Sequence, residues 1–252
     1  IKLPPNFQKE IDTNYPLMVH RDEALAAYPR QEEEIKRNIA EYYAMITHLD
    51  SEIGRVLEAL EETGEKENTI IVFTADNGLA VGQHGWMGKE DIYEHGIRVP
   101  LIIAGPGIEA GTESSAYVYL YDIYPTLCDL LHIDIPSSVE GKSFKELISG
   151  ENKDTFRQEL YLIFDKFVRG VKDSRYKLIE YRNGDEQEDK WTFLYDLQND
   201  PWETNNLAKN ESYLEKVREM RRKLLVHRDE WQEQSHEWGR DFWNRFSVED
   251  KV

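Results

Sequence analysis

At 252 residues and 40% hydrophobic content the chain can bury a real core, as one large domain or two modest ones, which excludes a disordered polypeptide. A net charge of -18 argues against general attraction to nucleic acid or anionic membrane, because proteins that bind those polyanions are usually basic. The single cysteine, Cys128, excludes an internal disulfide framework, and its leucine neighbours (Leu127, Leu130, Leu131) read as the buried side of a helix.

Residues 1–30 carry Pro4, Pro5, Pro16 and Pro29 with little periodicity and predict an extended segment wrapping the surface, with His20 in a solvated loop. From Gln31 to Glu62 the apolar residues Ile35, Ile39, Tyr42, Ile46, Leu49, Ile53, Val56 and Leu60 recur at intervals of three and four, one stripe of a long helix. Glu32, Glu33 and Glu34 suit its N-terminal end and Gly64 its C-terminal cap. The spacing also fits a coiled coil, but a strand follows within a few residues, so packing on a sheet is expected, and His48 is expected to be structural.

That strand is the run Thr69 to Ala75, whose β-branched centre reads as covered on both faces, as in a parallel α/β sheet. It stops at Asp76, Asn77 and Gly78. Residues at the carboxyl end of such a strand are placed for chemistry. Asp76 and Asn77 offer hard oxygen to a cation, and equally are the residues that turns prefer. A loop with Gly82, Gln83, His84, Gly85, Gly88 and Lys89 then leads through Tyr93, Glu94 and Gly96 to a second apolar strand, Val99 to Ala104.

Beyond Gly105, Pro106 and Gly107, a strand-like run Tyr117 to Tyr121 precedes Asp122, which is expected to cap a helix ending before Pro136. The polar stretch Ser137 to Asp154 marks a boundary, dividing the chain into residues 1–150, the α/β part, and 151–252. In the second part Glu159 to Val168, Gly170 to Tyr181 and Trp191 to Leu197 are strand-like and too closely spaced for helical crossovers, so a small antiparallel sheet is predicted. A final helix, roughly Ser212 to Trp238, should pack on that sheet through Leu214, Val217, Leu224, Leu225 and Trp231. Two apolar strands alone cannot make a sheet covered on both faces, so further strands are expected from outside this chain.

The motifs TADNG (ending at Gly78), GQHG (Gly82 to Gly85), GKEDIYEHG (Gly88 to Gly96), RVPLII (Arg98 to Ile103) and GPG (Gly105 to Gly107) resemble the sulfatase family of the alkaline-phosphatase-like superfamily. YDIYPTL around Asp122, EGKSF around Gly141, and LYDLQNDPWETNNLA from Leu194 to Ala208 extend the resemblance over almost the whole chain. It implies the C-terminal part of an alkaline-phosphatase-like sandwich, a mostly parallel sheet with helices on both faces, plus the small antiparallel sheet and its C-terminal helix. It also implies hydrolysis of sulfate esters.

The family's nucleophile is a formylglycine made from a cysteine or serine in a C/S-x-P-S-R motif, accompanied by metal-binding aspartates; neither occurs in this sequence. The resemblance therefore implies a C-terminal half, inactive alone, whose partners are the missing N-terminal half and a sulfated small molecule or glycan. An export signal would lie upstream of Ile1, and the family implies a periplasmic or secreted protein. No membrane span is visible.

By the same resemblance Asp76 and Asn77 are metal ligands for calcium, and Lys89 contacts the substrate sulfate, where a compact ammonium can approach one anionic oxygen. His84 is a candidate catalytic residue, either donating a hydrogen bond or acting as a general acid, or else it holds the glycine-rich loop. His95 departs from the usual E-G-G pattern and leaves the loop's backbone shape open. Glu94 and Arg98 are expected to pair within the loop. Tyr195, Asp196, Asp200, Pro201 and Glu203 read as turn and capping residues. Trp191, Trp202, Trp231, Trp238 and Trp243 read as packing residues that could otherwise line a carbohydrate site. Two alternatives remain: a phosphate or phosphonate ester hydrolase of the same superfamily, and a non-catalytic fragment that binds an anionic glycan.

Overall fold

The computed structural model describes residues 1–11, 21–150, 156–184, 186, 189–250 and 252, so His20 lies outside the described residues. Along the sequence the elements are α1 (Glu32–Glu62), β1 (Ile71–Thr74), β2 (Ala80–Val81), β3 (Met87–Gly88), α2 (Glu94–Ile97), β4 (Leu101–Ala104), α3 (Ile123–Leu130), α4 (Lys145–Ile148), β5 (Leu160–Phe164), β6 (Val168–Lys172), β7 (Tyr176–Arg182), β8 (Lys190–Asp196), α5 (Leu214–Glu230) and α6 (Glu237–Trp243). Packing groups residues 1–43, 77–98 and 159–252 in one compact unit and 44–76 with 99–158 in another. The two units interleave along the chain, changing over after Tyr43, Asp76, Arg98 and Gln158.

The helix predicted from Gln31 to Glu62 is α1, with its three glutamates in the first turn and Gly64 beyond its end at φ 76°. Its apolar stripe buries Ile35 and Ile39, which join Ala26, Val81 and Met87. Farther along, Ile46, Leu49 and Val56 are exposed, so packing on a sheet does not extend to them.

In the unit of 44–76 and 99–158, β1 and β4 pair antiparallel, Ile71 opposite Ala104 and Thr74 opposite Leu101. The apolar run read as a strand of a parallel sheet, but a parallel neighbour needs a crossover, usually a helix of several turns. The connection here holds only the four-residue α2 and the two-residue strands β2 and β3, and it returns to the end of the pair it left. Within this chain Phe73 and Ile102 are exposed, as expected of two strands whose further neighbours would come from outside it.

The run Tyr117 to Tyr121 forms no strand; it enters a 3-10 turn, Leu120–Asp122, that leads into α3. Asp122 is fully buried, and its carboxylate accepts from the Tyr119 N–H (2.7 Å) and Lys142 N–H (2.9 Å) and pairs with Arg157 Nη1 (2.6 Å). It thus closes the turn before α3 and makes no side-chain cap on that helix. Cys128 is buried on α3, as its leucine neighbours predict.

In the other unit the antiparallel sheet has four strands in the order β5-β6-β7-β8, one more than the three predicted runs, because the Asp173 carboxylate accepts from Arg175 N–H and Tyr176 N–H and turns the chain between β6 and β7. Alternation along the strands builds two cores. Leu178, Leu194 and Val171 face Val217, Met220 and Leu224 of α5, together with Phe242 and Trp243 of α6. Ile179, Tyr181, Tyr195, Leu162 and Val168 face Ala80, Trp86, Ile92 and Tyr93. The glycine-rich loop therefore packs on a sheet through its own apolar residues, of which Ile92 is worth about 1.5–3 kcal/mol when fully buried.

The predicted helix from Ser212 to Trp238 divides in two. It stops at Glu230, Gln232 takes a left-handed conformation (φ 50°), and α6 begins at Glu237. The buried Glu233 carboxylate anchors this break, accepting from Tyr161 Oη, Arg169 Nε (2.7 Å) and Trp243 Nε1 (2.6 Å). Trp243 is buried, whereas Trp202, Trp231 and Trp238 are exposed in this chain and so are no part of its core.

Candidate active site

The loop of residues 77–98 holds its shape through the N-terminal segment on one side and the sheet on the other. Gln8 N–H donates to Gly82 O (3.3 Å), His84 N–H to Asn6 O (2.8 Å), and Phe7 bridges Gln83. The fully buried Arg30 donates from Nε to Gly85 O (2.9 Å) and pairs with Glu23, whose carboxylate accepts from Met87 N–H (3.0 Å). The described residues of the segment expected to wrap the surface are mostly exposed, as expected, and a few buried side chains among them, Asn6, Glu23 and Arg30, hold the loop. Nothing in the segment's irregular, proline-rich sequence marks Asn6, Glu23 or Arg30 for that task.

Asp76 is exposed and Asn77 half-buried; the chain passes between the two compact units at this step. Asn77 Nδ2 donates to Gly78 O (2.7 Å), which fixes the amide so that its oxygen, a hard donor, turns away from that carbonyl. Gly78 N–H donates to Gly96 O (2.8 Å), and a Cβ at Gly78 would lie 1.8 Å from His95 O, so only glycine permits this approach.

Lys89 follows Gly88, whose backbone (φ 99°) brings it so close to Asp22 that a Cβ would lie 2.6 Å from the aspartate Cβ. Lys89 is exposed and makes no hydrogen bond or ion pair among the described residues. It stands as a cation available to an anion on that surface.

His84 is buried, at φ 52°, with its ring stacked on Tyr93 at 4.2 Å and 5.9 Å from His95. Asn6 Nδ2 donates to Trp202 O (2.9 Å) and lies 3.1 Å from His84 Nε2. The carbonyl fixes the amide orientation, so Nε2 accepts and the ring proton sits on Nδ1. Burial first, and the neighbouring His95 second, push the His84 pKa down to about 4. A neutral, stacked imidazole holds the loop in place and is poorly suited to act as an acid near neutral pH.

His95 Nε2 lies 3.0 Å from Asp91 Oδ2, and its ring is 5.8 Å from that of Tyr93. Asp91 Oδ1 accepts from Tyr93 N–H (2.7 Å), so both carboxylate oxygens serve the turn that starts α2. Glu94 pairs with Lys172 (2.8 Å) and with the fully buried Lys177 (3.2 Å), as its expected loop-stabilising role requires. Burial would raise the Glu94 pKa, but the two ammonium groups outweigh it and hold the carboxyl below its ordinary range. Arg98, in contrast, is exposed and makes no ion pair among the described residues.

Glu203 does more than shape a turn. Its buried carboxylate pairs with Lys177 (2.8 Å) and accepts from Glu94 N–H (2.8 Å), so the Leu194 to Ala208 signature is tied to the start of α2. The glutamate was recognisable as a motif member, whereas Lys172 and Lys177 carried no signal among the sheet's many lysines. Asp200 accepts from Thr204 N–H and Asn205 N–H, the turn role expected of it. Asp196 is bound by Arg175 (2.7 Å) and Asn199 (2.9 Å).

Among the described residues no group of three or more His, Cys, Asp and Glu is arranged to hold a metal ion. Asp76 and Asn77 fit calcium by donor chemistry, a carboxylate and an amide oxygen, supplying part of the six to eight oxygens, roughly, that this ion takes.

A family model described as "Sulfatase" matches residues 4–133, and one described as "N-sulphoglucosamine sulphohydrolase, C-terminal" matches residues 82–230. The chain is similar to an N-acetylglucosamine-6-O-sulfatase of Bacteroides thetaiotaomicron, 36% identical over 191 residues, 71% of this chain and 34% of that protein. It is also similar to a solved protein in complex with its substrate D-glucosamine-2-N,6-O-disulfate, with a TM-score of 0.72 at 29% identity over 92% of this chain and 46% of that one. A phosphonate monoester hydrolase of Agrobacterium radiobacter aligns with a TM-score of 0.71 at 27% identity, over 79% of this chain and 43% of that one. The chain thus spans about a third of the first relative and under half of the two solved proteins.

Proposed function

Because this chain belongs to the sulfatase family, whose model covers residues 4–133, we propose that the protein carrying it is a sulfuric ester hydrolase acting on sulfated glycans or smaller sulfate esters. The observation that carries this reading is the match of the sulfatase family model to residues 4–133, a stretch that contains Asp76, Asn77 and Lys89. In this reading a formylglycine from outside this chain would supply the nucleophile, and calcium, held in part by Asp76 and Asn77, would supply charge neutralisation. Lys89 binds a sulfate oxygen as an exposed ammonium. His84 and Tyr93 keep the loop's backbone in register as neutral groups. The isolated chain is expected to be inactive.

The similarity to a protein solved with D-glucosamine-2-N,6-O-disulfate supports a sulfated amino sugar as the substrate class. Family resemblance also supports an exported protein, periplasmic or secreted, which fractionation of the source cells would check. No helix of the described residues is long and apolar enough to cross a membrane.

The test is Lys89→Ala in the full-length protein. A contact from a positioned cation to the reacting anion is worth about 2–4 kcal/mol, so kcat/KM for an aryl sulfate should fall roughly 30-fold to 1000-fold with calcium content and folding unchanged. Asp76→Ala should lose calcium and activity together. A Lys89→Ala protein within about twofold of wild type would leave the lysine an ordinary surface residue and end this reading of it. The likeness to a phosphonate monoester hydrolase favours one second reading, a phosphonate or phosphate ester substrate. Comparing kcat/KM for an aryl sulfate and a phenylphosphonate monoester decides between them.

A further inference from the structure

The geometry points to the Asp91–His95 pair as a positioning device for the Asn77–Gly78 turn, an assignment that rests on the sulfatase reading for its consequence but not for its structural link. The His95 side chain is only 9% exposed. Nε2 is held by Asp91 at 3.0 Å, while Nδ1 is buried without a hydrogen-bond partner among the described residues, so among them the aspartate is the ring's polar anchorage. Leaving one ring nitrogen unpaired costs free energy, which a glycine would avoid.

What the arrangement gains is a fixed backbone. Asp91 Oδ1 takes the Tyr93 N–H (2.7 Å), Oδ2 takes the His95 ring, and Tyr93 O accepts from Gly96 N–H (2.9 Å). A Cβ at Gly96 would lie 2.9 Å from Asp91 Oδ1, so the carboxylate sits directly against the turn it braces. That turn presents Gly96 O to Gly78 N–H at 2.8 Å, and His95 O presses on Gly78 itself. Asn77 is bonded to Gly78, so the position of its amide follows from that of residues 95 and 96. With glycine at 95 the same backbone would have more freedom and one anchor fewer. Asp91 and His95 therefore act through Asn77 and touch neither substrate nor metal.

The link is tested without metal by amide hydrogen exchange at Gly78. In Asp91→Ala and in His95→Gly the Gly78 amide should exchange at least about tenfold faster, while Leu178 in the sheet core keeps its wild-type rate. His95→Gln, which can still donate to Asp91, should restore most of the protection. In the full-length protein, calorimetry should show the calcium Kd rising about tenfold in the first two variants, the low end for loss of an outer-shell support, with recovery in His95→Gln. The proposal is overturned if Gly78 exchange stays within twofold in both variants, or accelerates only in step with Leu178. It is equally overturned if Gly78 loosens and calcium affinity does not change. Wild-type protein that binds no calcium would instead count against the sulfatase reading, with Gly78 exchange still deciding the pairing.

Discussion

The sheet β5-β6-β7-β8 and the pair β1-β4 are both antiparallel, yet they treat charge and oil in opposite ways. The four-stranded sheet buries Arg169, Lys177, Glu180 and Arg182 almost completely and pairs each of them with an opposite charge. The two-stranded pair leaves the apolar Phe73 and Ile102 exposed. The difference teaches that burial and partners, more than residue type, set how much a strand position matters here. Within this chain a lysine inside one sheet outweighs an isoleucine on the other.

The largest effect should come from Lys177→Ala, which leaves the Glu94 and Glu203 carboxylates facing each other across the lost ammonium. Removing one partner from a buried pair costs about 3–5 kcal/mol, readable as a lower urea midpoint. A loss under about 1 kcal/mol would show that water reaches these charges and would break the contrast. Leu178→Ala, in the core facing α5, should cost about 2–5 kcal/mol by the same measurement, with the upper part of that range marking a site that cannot collapse.

A pH series sharpens the comparison at the sheet's edge. The Arg175 guanidinium hydrogen-bonded to Asp196 holds that carboxyl at about 2, below its ordinary value of 3.8. A depressed carboxyl pKa contributes stability that is present above the unfolded value and is lost as pH falls through the folded one. Arg175→Ala should therefore lower the urea midpoint at pH 7, with the gap from wild type closing between about pH 4 and pH 2. A gap that stays constant across that window would make the contact one of packing alone. The smallest effect belongs to Ile102→Thr in β4, expected within about 0.5 kcal/mol of wild type in this chain because the side chain is 60% exposed.

How far the sequence carried differs from residue to residue for physical reasons. The long helix was legible because Ile35 to Leu60 keep one period, and the small sheet because its strands sit too close together for crossovers. The stripe's period could not reveal that Ile46, Leu49 and Val56 face water, since periodicity marks a face and says nothing of what covers it. Tyr117 to Tyr121 reads as a strand by its β-branched and aromatic content, but Asp122 draws Tyr119 N–H into a 3-10 turn through a contact with no sequence period. At the candidate site the motif named Asp76, Asn77, His84 and Lys89 as candidates. It gave no hint that Asn6 fixes the His84 tautomer or that Lys177 binds Glu203, because those partners lie 78 and 26 positions away and meet only in the folded chain.

The core beneath the glycine-rich loop has a consequence for the order in which the protein assembles. Ala80, Trp86, Ile92 and Tyr93 find their apolar partners in Leu162, Val168, Ile179 and Tyr195, all of which are translated later. At ordinary elongation rates the ribosome takes roughly 5–20 s to pass from the loop to the last strand of the sheet. Throughout that interval the residues that carry Asn77 and Lys89 lack their apolar partners on the sheet, and contacts of such long sequence separation form slowly. The loop therefore reaches its final form among the last parts of the molecule, and a nascent chain stalled before β8 would display Trp86, Ile92 and Tyr93 to chaperones.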